Sequence, residues 1–274
     1  MSKIKFTKMC AGGNDFIVID NREKVLPRGE ADLARELCPR RFSIGADGLL
    51  LLEHSSQGSD FRMRIFNPDG SEAEMCGNGA RCLARFARRQ GVAGEQMTFE
   101  TLAGRMEAEV KDNGGEVKLK MPDPRDIRLH IRLCLDGDVY EVHYLNTGVP
   151  HVVLPIESLE SVPVNELGRK LRYHKEFFPR GTNVDFIEVE SKRSLRVRTY
   201  ERGVEKETLA CGTGAVASAI VAFSLGKVAR PPIEVHTRGK EILRIHFQAA
   251  AAKITNVYLE GKAEFAYEGE IEDA

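Results

Sequence analysis

Two cysteines stand in matching settings, Met75-Cys76-Gly77-Asn78-Gly79-Ala80 and Ala210-Cys211-Gly212-Thr213-Gly214-Ala215. The first follows a polar turn, Asn67-Pro68-Asp69-Gly70-Ser71, and leads into a helical pattern from Ala80 to Arg89. The second leads into an apolar helix beginning near Ala215. A thiol at such a point faces unpaired backbone N–H groups and the positive end of the helix dipole. That setting predicts a lowered pKa and a usable thiolate at both positions. Two such thiols suit inversion at a carbon. One removes a proton from one face as thiolate, and the other returns a proton to the opposite face as thiol, because a single base does not easily reach both. The α-carbon of an amino acid is so weak an acid that its carbanion needs support. No lysine lies in a recognisable pyridoxal-phosphate setting, so the reading is cofactor-free. The N–H groups of Gly77, Asn78, Gly212 and Thr213 can instead hold the substrate carboxylate as charge builds. The other cysteines, Cys38, Cys82 and Cys134, read as packed thiols, and Cys10 stays open between packing and a loop bordering the site. No C-x-x-C pair exists and Cys76 to Cys82 is C-x5-C, so no zinc site is expected.

These thiols need scaffolds to hold them, and the chain reads as one scaffold built twice. Short strands are predicted at 3–9, 16–20, 49–53, 61–66, 97–102, 105–111 and 116–121, with helices at 31–37 and 80–89. Gly13-Asn14-Asp15-Phe16-Ile17 aligns with Gly148-Val149-Pro150-His151-Val152, at 148 − 13 = 135. Phe61-Arg62-Met63-Arg64 aligns with Leu195-Arg196-Val197-Arg198, at 195 − 61 = 134, and Cys76 with Cys211, at 211 − 76 = 135. Three matches in one order at nearly one offset point to duplication. The fold class is therefore α/β (α+β): two pseudo-symmetric lobes, each a curved mixed or antiparallel sheet wrapped round a central helix. Pro122-Asp123-Pro124 marks the expected boundary, giving lobes at 1–124 and 125–274. A pseudo-twofold would set both helix N-termini at a cleft, with Cys76 facing Cys211 and the lobes closing on substrate to exclude water.

Composition removes other classes. The 274 residues carry 40 basic and 41 acidic side chains, a net charge of −1, which gives no reason to expect nucleic acid or an anionic membrane as partner. The longest apolar run, 215–225, is too short to span a bilayer, and the N-terminus shows no secretion signal, so a cytoplasmic protein is expected. Gly212-Thr213-Gly214-Ala215-Val216-Ala217 imitates a dinucleotide fingerprint, but the polar stretch 203–208 before it is not the apolar strand that motif requires. The basic group Arg81, Arg85, Arg88 and Arg89 reads as the solvated side of a helix. Of the histidines, His151 alone is read as functional, because the repeat sets it at the start of an inner strand.

The chain resembles the diaminopimelate epimerases along nearly its full length. The likeness rests on Gly13-Asn14-Asp15-Phe16, Ile44-Gly45-Ala46-Asp47-Gly48, the stretch 67–82, Gly148 with Pro150-His151, Thr182-Asn183-Val184-Asp185, and Tyr200-Glu201-Arg202-Gly203 through Gly214. It implies interconversion of LL- and meso-diaminopimelate without cofactor, in a homodimer. It implies Cys76 and Cys211 as the catalytic pair and His151 and Glu201 as groups that tune it. Asn14, Asn67, Asn183, Glu201 and Arg202 match substrate-holding positions. The distal amino-acid end of the substrate suits them: Arg202 can fork onto its carboxylate and Glu201 can face its ammonium. The sequence departs from the family at Cys10, Ala11, Gly48 (glutamine in some members) and Val149 (asparagine in many), with Asn146 a possible substitute contact. Two other readings remain: a racemase for another amino acid, such as proline or histidine, on the same scaffold, and a thiol redox sensor or non-catalytic binding protein.

Overall fold

The computed structural model describes residues 3–111, 115–250 and 253–272. The chain divides into two units, Met1–Leu119 with Gly261–Ala274, and Lys120–Glu260. In the first unit β1 (Lys3–Ala11), β2 (Asn14–Asp20), α1 (Glu30–Leu37), β3 (Gly48–Glu53), β4 (Phe61–Phe66) and β5 (Glu72–Ala73) precede α2 (Gly77–Arg89). Then come β6 (Gln96–Thr101), β7 (Gly104–Val110) and β8 (Glu116–Lys120). The second unit holds β9 (Arg125–Leu135), β10 (Asp138–Asn146), β11 (Pro150–Pro155), α3 (Val164–Arg172), β12 (Asn183–Val189) and β13 (Ser194–Glu201). After these follow β14 (Lys206–Thr208), α4 (Gly212–Ser224), β15 (Ile233–His236), β16 (Ile242–Ala250) and β17 (Lys253–Lys262), and β18 (Glu264–Glu272) ends the chain.

The two ladders repeat one another. In the first unit β1–β2 is antiparallel, β2–β3 parallel and β3–β4 antiparallel, and β4 carries β5 antiparallel and β6 parallel. In the second unit β10–β11 is antiparallel, β11–β12 parallel and β12–β13 antiparallel, and β13 carries β14 antiparallel and β15 parallel. Antiparallel pairs finish both sheets. The register itself keeps the offset: Phe16 opposes Gly48 and His151 opposes Asn183, so 151 − 16 = 135 and 183 − 48 = 135.

Each sheet is covered on both faces. On β2 and β3, Ile17, Ile19, Leu49 and Leu51 pack with Leu33 and Leu37 of α1. Phe16, Val18, Leu50 and Leu52 are also fully buried and face the other way, toward α2. A strand buried on both faces reads as a continuous apolar run, as Leu49-Leu50-Leu51-Leu52 does. In the second unit Val152, Leu154, Val184 and Phe186 pack with Val164 and Leu171 of α3, and α4 lies against the opposite face of β11, β12 and β13. The expected central helix is present in both units. No helix among the described residues is long and apolar enough to cross a membrane.

Three sequence expectations are corrected. The stretch 125–274 is not one lobe, because the chain from Gly261 onward groups with the first unit. The cause is β18, which lies antiparallel along β1 as β9 lies along β10. Arg81 does not face solvent but is 0 % exposed, with Nε donating to the Lys262 carbonyl at 3.3 Å. Arg85 donates to the Ala263 carbonyl, Arg89 pairs with Glu268 at 2.8 Å, and both lie over the Phe265 ring. The arginine face of α2 thus fastens the returning C-terminal strand. Cys134 is exposed on β9, not packed, whereas Cys38 and Cys82 are buried as read. Arg81→Ala removes the fully buried guanidinium that holds the Lys262 carbonyl. It is expected to cost roughly 1–3 kcal/mol of unfolding free energy, seen as a lower urea midpoint at unchanged slope.

Candidate functional site

In the first unit Cys76 is the residue that starts α2. Its backbone is extended (φ −139°, ψ 120°) and its Sγ accepts from the Gly79 N–H at 3.5 Å. The helix therefore begins at Gly77, earlier than the sequence reading of Ala80, because the thiol caps the first turn. The N–H groups of Gly77 and Asn78 lie in that turn, as expected of an anion-holding end.

Asn78 is held by a directional chain. Its Nδ2 donates to Asn14 Oδ1 at 2.8 Å, and Asn14 Nδ2 donates to Asp47 Oδ2 at 3.1 Å. Asp47 also accepts from the Asp15 N–H at 3.1 Å and pairs with Arg40 at 2.9 Å. Asp15 in turn pairs with Arg40 and, at 2.8 Å, with the buried Lys8. Sequence reasoning named Asn14 and Asn78 but missed Arg40, Lys8 and the anchoring role of Asp47. Gly12, at φ +59°, runs beneath Asn78, and a Cβ there would come within 2.6 Å of the Asn78 amide.

Burial on its own pushes the Asp15 carboxyl up, but hydrogen bonds from Arg40 and Lys8 outweigh it and take it from 3.8 down to about 2. A depressed folded-state pKa gives stability that is present above the unfolded value and is lost as pH falls through the folded one. Unfolding free energy is thus expected to fall between about pH 4 and pH 2, and Asp15→Asn to flatten that part of a pH series of urea melts.

The turn before Cys76 uses Asn67 internally. Asn67 Nδ2 donates to Ser71 Oγ at 2.9 Å, and the Gly70 N–H donates to the Asn67 carbonyl at 2.9 Å. Gly48 has a backbone reason to be glycine, since a Cβ there would lie 3.0 Å from the Phe66 carbonyl. Cys10 lies half-buried on β1, its thiol pushed up by burial and by Glu264 and Asp15.

In the second unit Cys211 starts α4 in the same extended conformation (φ −129°, ψ 109°). Its Sγ lies 3.5 Å from Thr213 Oγ1, which lies 2.9 Å from His151 Nε2. His151 Nδ1 lies 2.6 Å from Asp185 Oδ2, and Thr199 donates to Asp185 Oδ1 at 2.7 Å. Thr147 Oγ1 steadies the turn by donating to the Thr213 carbonyl at 3.1 Å. The expected lowering of the Cys211 pKa is overturned. Burial, then Asp185 and Glu201, push the thiol up to about 12. The helix terminus is outweighed by burial and by two carboxylates.

Glu201 ends β13 and Arg202 follows it in the turn, and burial pushes the Glu201 carboxyl up. Asn183, 4 % exposed, accepts from the Arg202 N–H at 2.8 Å and donates to the Pro150 carbonyl at 3.1 Å, so it sets the path of the chain at Arg202. Asn146 Oδ1 accepts from the Gly148 N–H at 2.9 Å, inside the turn that carries Val149. Asp185 and Thr199 were not singled out from the sequence. The signal was one carboxylate within the apolar strand Val184-Asp185-Phe186-Ile187, a costly placement unless hydrogen-bonded. Among the described residues no group of three or more His, Cys, Asp or Glu side chains is placed to hold a metal ion.

Residues 6–127 and 143–266 match a family model described as diaminopimelate epimerase. A diaminopimelate epimerase of Aquifex aeolicus (strain VF5) is 44% identical over 278 residues, covering 98% of either chain. One of Methanocella arvoryzae is 46% identical over 285 residues, covering 99% of this chain and 98% of its own. Among solved structures, a Bacillus anthracis phenazine biosynthesis protein of the PhzF family superposes with a TM-score of 0.71 at 19% identity, over 100% of both chains. A hydroxyproline epimerase from Agrobacterium vitis, with bound trans-4-hydroxy-L-proline, gives 0.66 at 15% identity over 98% of this chain and 92% of its own. At those identities the structures share a fold.

Proposed function

The chain belongs to the diaminopimelate epimerase family, and from that premise we propose that Cys76 and Cys211 are the two groups with which it inverts an α-carbon. Its reaction is the interconversion of LL- and meso-diaminopimelate, an isomerase step of lysine biosynthesis. The observation that carries the two-cysteine assignment is the same geometry met twice: a thiol at the N-cap of a buried helix, followed by glycines whose N–H groups open the first turn.

In this reading one thiolate takes the α-proton and the other thiol delivers one to the opposite face. The roles exchange in the reverse direction. The first-turn N–H groups of Gly77, Asn78, Gly212 and Thr213 hold the α-carboxylate as charge spreads onto it. Asn14, Asn67, Glu201 and Arg202 are assigned to the distal amino acid group on the family likeness, and Asn183 acts by placing Arg202. The reading includes a homodimer in the cytoplasm, which light scattering and cell fractionation measure.

The test is LL-diaminopimelate in deuterium oxide under reducing conditions. The expected result is meso product carrying deuterium at the inverted centre alone. Activity on proline or histidine with none on diaminopimelate would refute the substrate assignment.

A further inference from the structure

Each unit contains the other's control. The repeat offset pairs Phe16 with His151 and Leu50 with Asp185, since 151 − 16 = 135 and 185 − 50 = 135, and the 134 offset of the next strand pairs Ile65 with Thr199. All six side chains lie on the sheet face beneath the catalytic helix of their own unit. In the first unit a Cβ on Gly79 would meet Leu50 Cδ2 at 3.1 Å and Ile65 Cδ1 at 3.4 Å. In the second, a Cβ on Gly214 would meet Asp185 Oδ1 at 2.4 Å and Thr199 Oγ1 at 3.3 Å. The same place in the same fold is apolar once and polar once. The scaffold therefore does not require the polar version, and burying it is costly: His151 and Asp185 are 0 % exposed and Thr199 is 3 % exposed.

We propose that Asp185 is a positioning residue for Cys211: with Thr199 it fixes the His151 imidazole with its proton on Nδ1, so that Nε2 takes the Thr213 hydroxyl proton and the Thr213 oxygen is turned to Cys211. The inference deepens the two-cysteine reading and rests on it. The logic runs along the bonds. With Thr199 donating to Oδ1, Asp185 Oδ2 is left as an acceptor, and the facing His151 Nδ1 donates to it at 2.6 Å. His151 Nε2 is then a lone pair, and the Thr213 hydroxyl donates its one proton there at 2.9 Å. Thr213 Oγ1 keeps lone pairs, which accept the Cys211 S–H at 3.5 Å.

This order gives the Cys211 proton a place to go. The S–H proton passes to Thr213 Oγ1 as the Thr213 hydroxyl proton passes to His151 Nε2. One S–H and one O–H bond break, and one O–H and one N–H bond form. The result is a thiolate at Cys211 and an imidazolium held against Asp185, with the net charge of the cluster unchanged. Running the steps backward restores the thiol. Burial and the nearby carboxylates Asp185 and Glu201 oppose a lone thiolate, as the raised Cys211 pKa shows, and an adjacent imidazolium offsets them. The charged groups facing His151 are Asp185 on β12, Glu201 on β13 and Cys211 at the start of α4.

The test begins on the wild-type protein. Nitrogen-15 NMR of the His151 ring at neutral pH is expected to show the Nδ1–H tautomer, and an Nε2–H tautomer overturns the proposal without reference to activity. Asp185→Asn is expected to invert that tautomer, to lower kcat roughly 10- to 100-fold with KM near the wild-type value, and to shift the pH profile of kcat. The triple variant H151F/D185L/T199I copies the first unit's apolar face. It is expected to fold, with a Tm at or above wild type, and to lose epimerisation. An Asp185→Asn enzyme with wild-type kcat, pH profile and tautomer refutes the positioning role, as does an active triple variant. A wild-type protein that shows the Nδ1–H tautomer but does not epimerise diaminopimelate would instead refute the function on which the proposal rests.

Discussion

Alanine at Cys211 is expected to lower kcat/KM for diaminopimelate interconversion by about 10³-fold or more, equally in both directions, with the fold intact. The equality follows because one residue cannot change the equilibrium between stereoisomers. The size follows from the surroundings. Thr213 Oγ1 lies 3.5 Å from Cys211 Sγ, and an alcohol is far too weak an acid or base to replace a thiol. The fold should survive because α4 is held by its buried face, including Ala215, Val216, Ala219 and Ile220, and an N-cap contributes only about 1 kcal/mol. Cys211→Ser separates chemistry from structure. The serine keeps a small polar side chain at the start of α4, so stability is expected near wild type, while activity is expected to stay close to that of the alanine variant. Cys76→Ala is expected to fail as completely, since it removes the other group. The measurement is product stereochemistry and α-deuterium content after incubation in deuterium oxide. Epimerisation at the wild-type rate by either alanine variant would sink the two-base mechanism.

Much of this was written in the chain. Hydrophobic period placed every strand of the first unit through β8 within a few residues, apart from the two-residue β5, because those strands alternate or run apolar between glycine and proline turns. The Cys-Gly-x-Gly pairs located the helix starts to within one turn because the cap is local: Cys76 and the Gly79 N–H are three positions apart. What stayed hidden was non-local. Nothing in the composition of β18 says that it returns to β1, and the internal offset does not help, since the two units draw their outer strands from opposite ends of the sequence order. Arg81 looked solvated because a charge on a helix usually is, and its carbonyl partner lies 262 − 81 = 181 positions away. The direction of the Cys211 shift was misread for the same reason. A dipole can be inferred from one helix, whereas burial and the carboxylates of Asp185 and Glu201 come from separate strands. The duplication was legible, yet comparing its halves residue by residue gave more once the sheet faces were known. Leu50 alone says nothing and Asp185 alone says only that a charge is buried; together they are the same position filled two ways.

That comparison sets the second large effect, on the paired glycines. Gly214→Ala is expected to cost roughly 2–4 kcal/mol of stability and about 10²-fold in kcat, whereas Gly79→Ala is expected to change stability by no more than about 1 kcal/mol. Both changes gain helix propensity, on the order of 1 kcal/mol, so the difference lies in what the new methyl meets. At Gly79 the neighbours are the methyl ends of Leu50, Ile65 and Met63 at 3.1, 3.4 and 3.4 Å, which turn aside at little cost. At Gly214 the neighbour is Asp185 Oδ1 at 2.4 Å. Asp185 cannot step back, because Oδ1 is held by Thr199 at 2.7 Å and Oδ2 by His151 at 2.6 Å. The methyl must break one of those bonds inside a water-excluded layer, which leaves a buried carboxylate short of a donor and releases the imidazole. Urea melts of the two variants measure the asymmetry directly. Equal losses at Gly79 and Gly214 would mean that the polar face beneath α4 yields as readily as the apolar face beneath α2, and that Asp185 is not held as tightly as its two hydrogen bonds require.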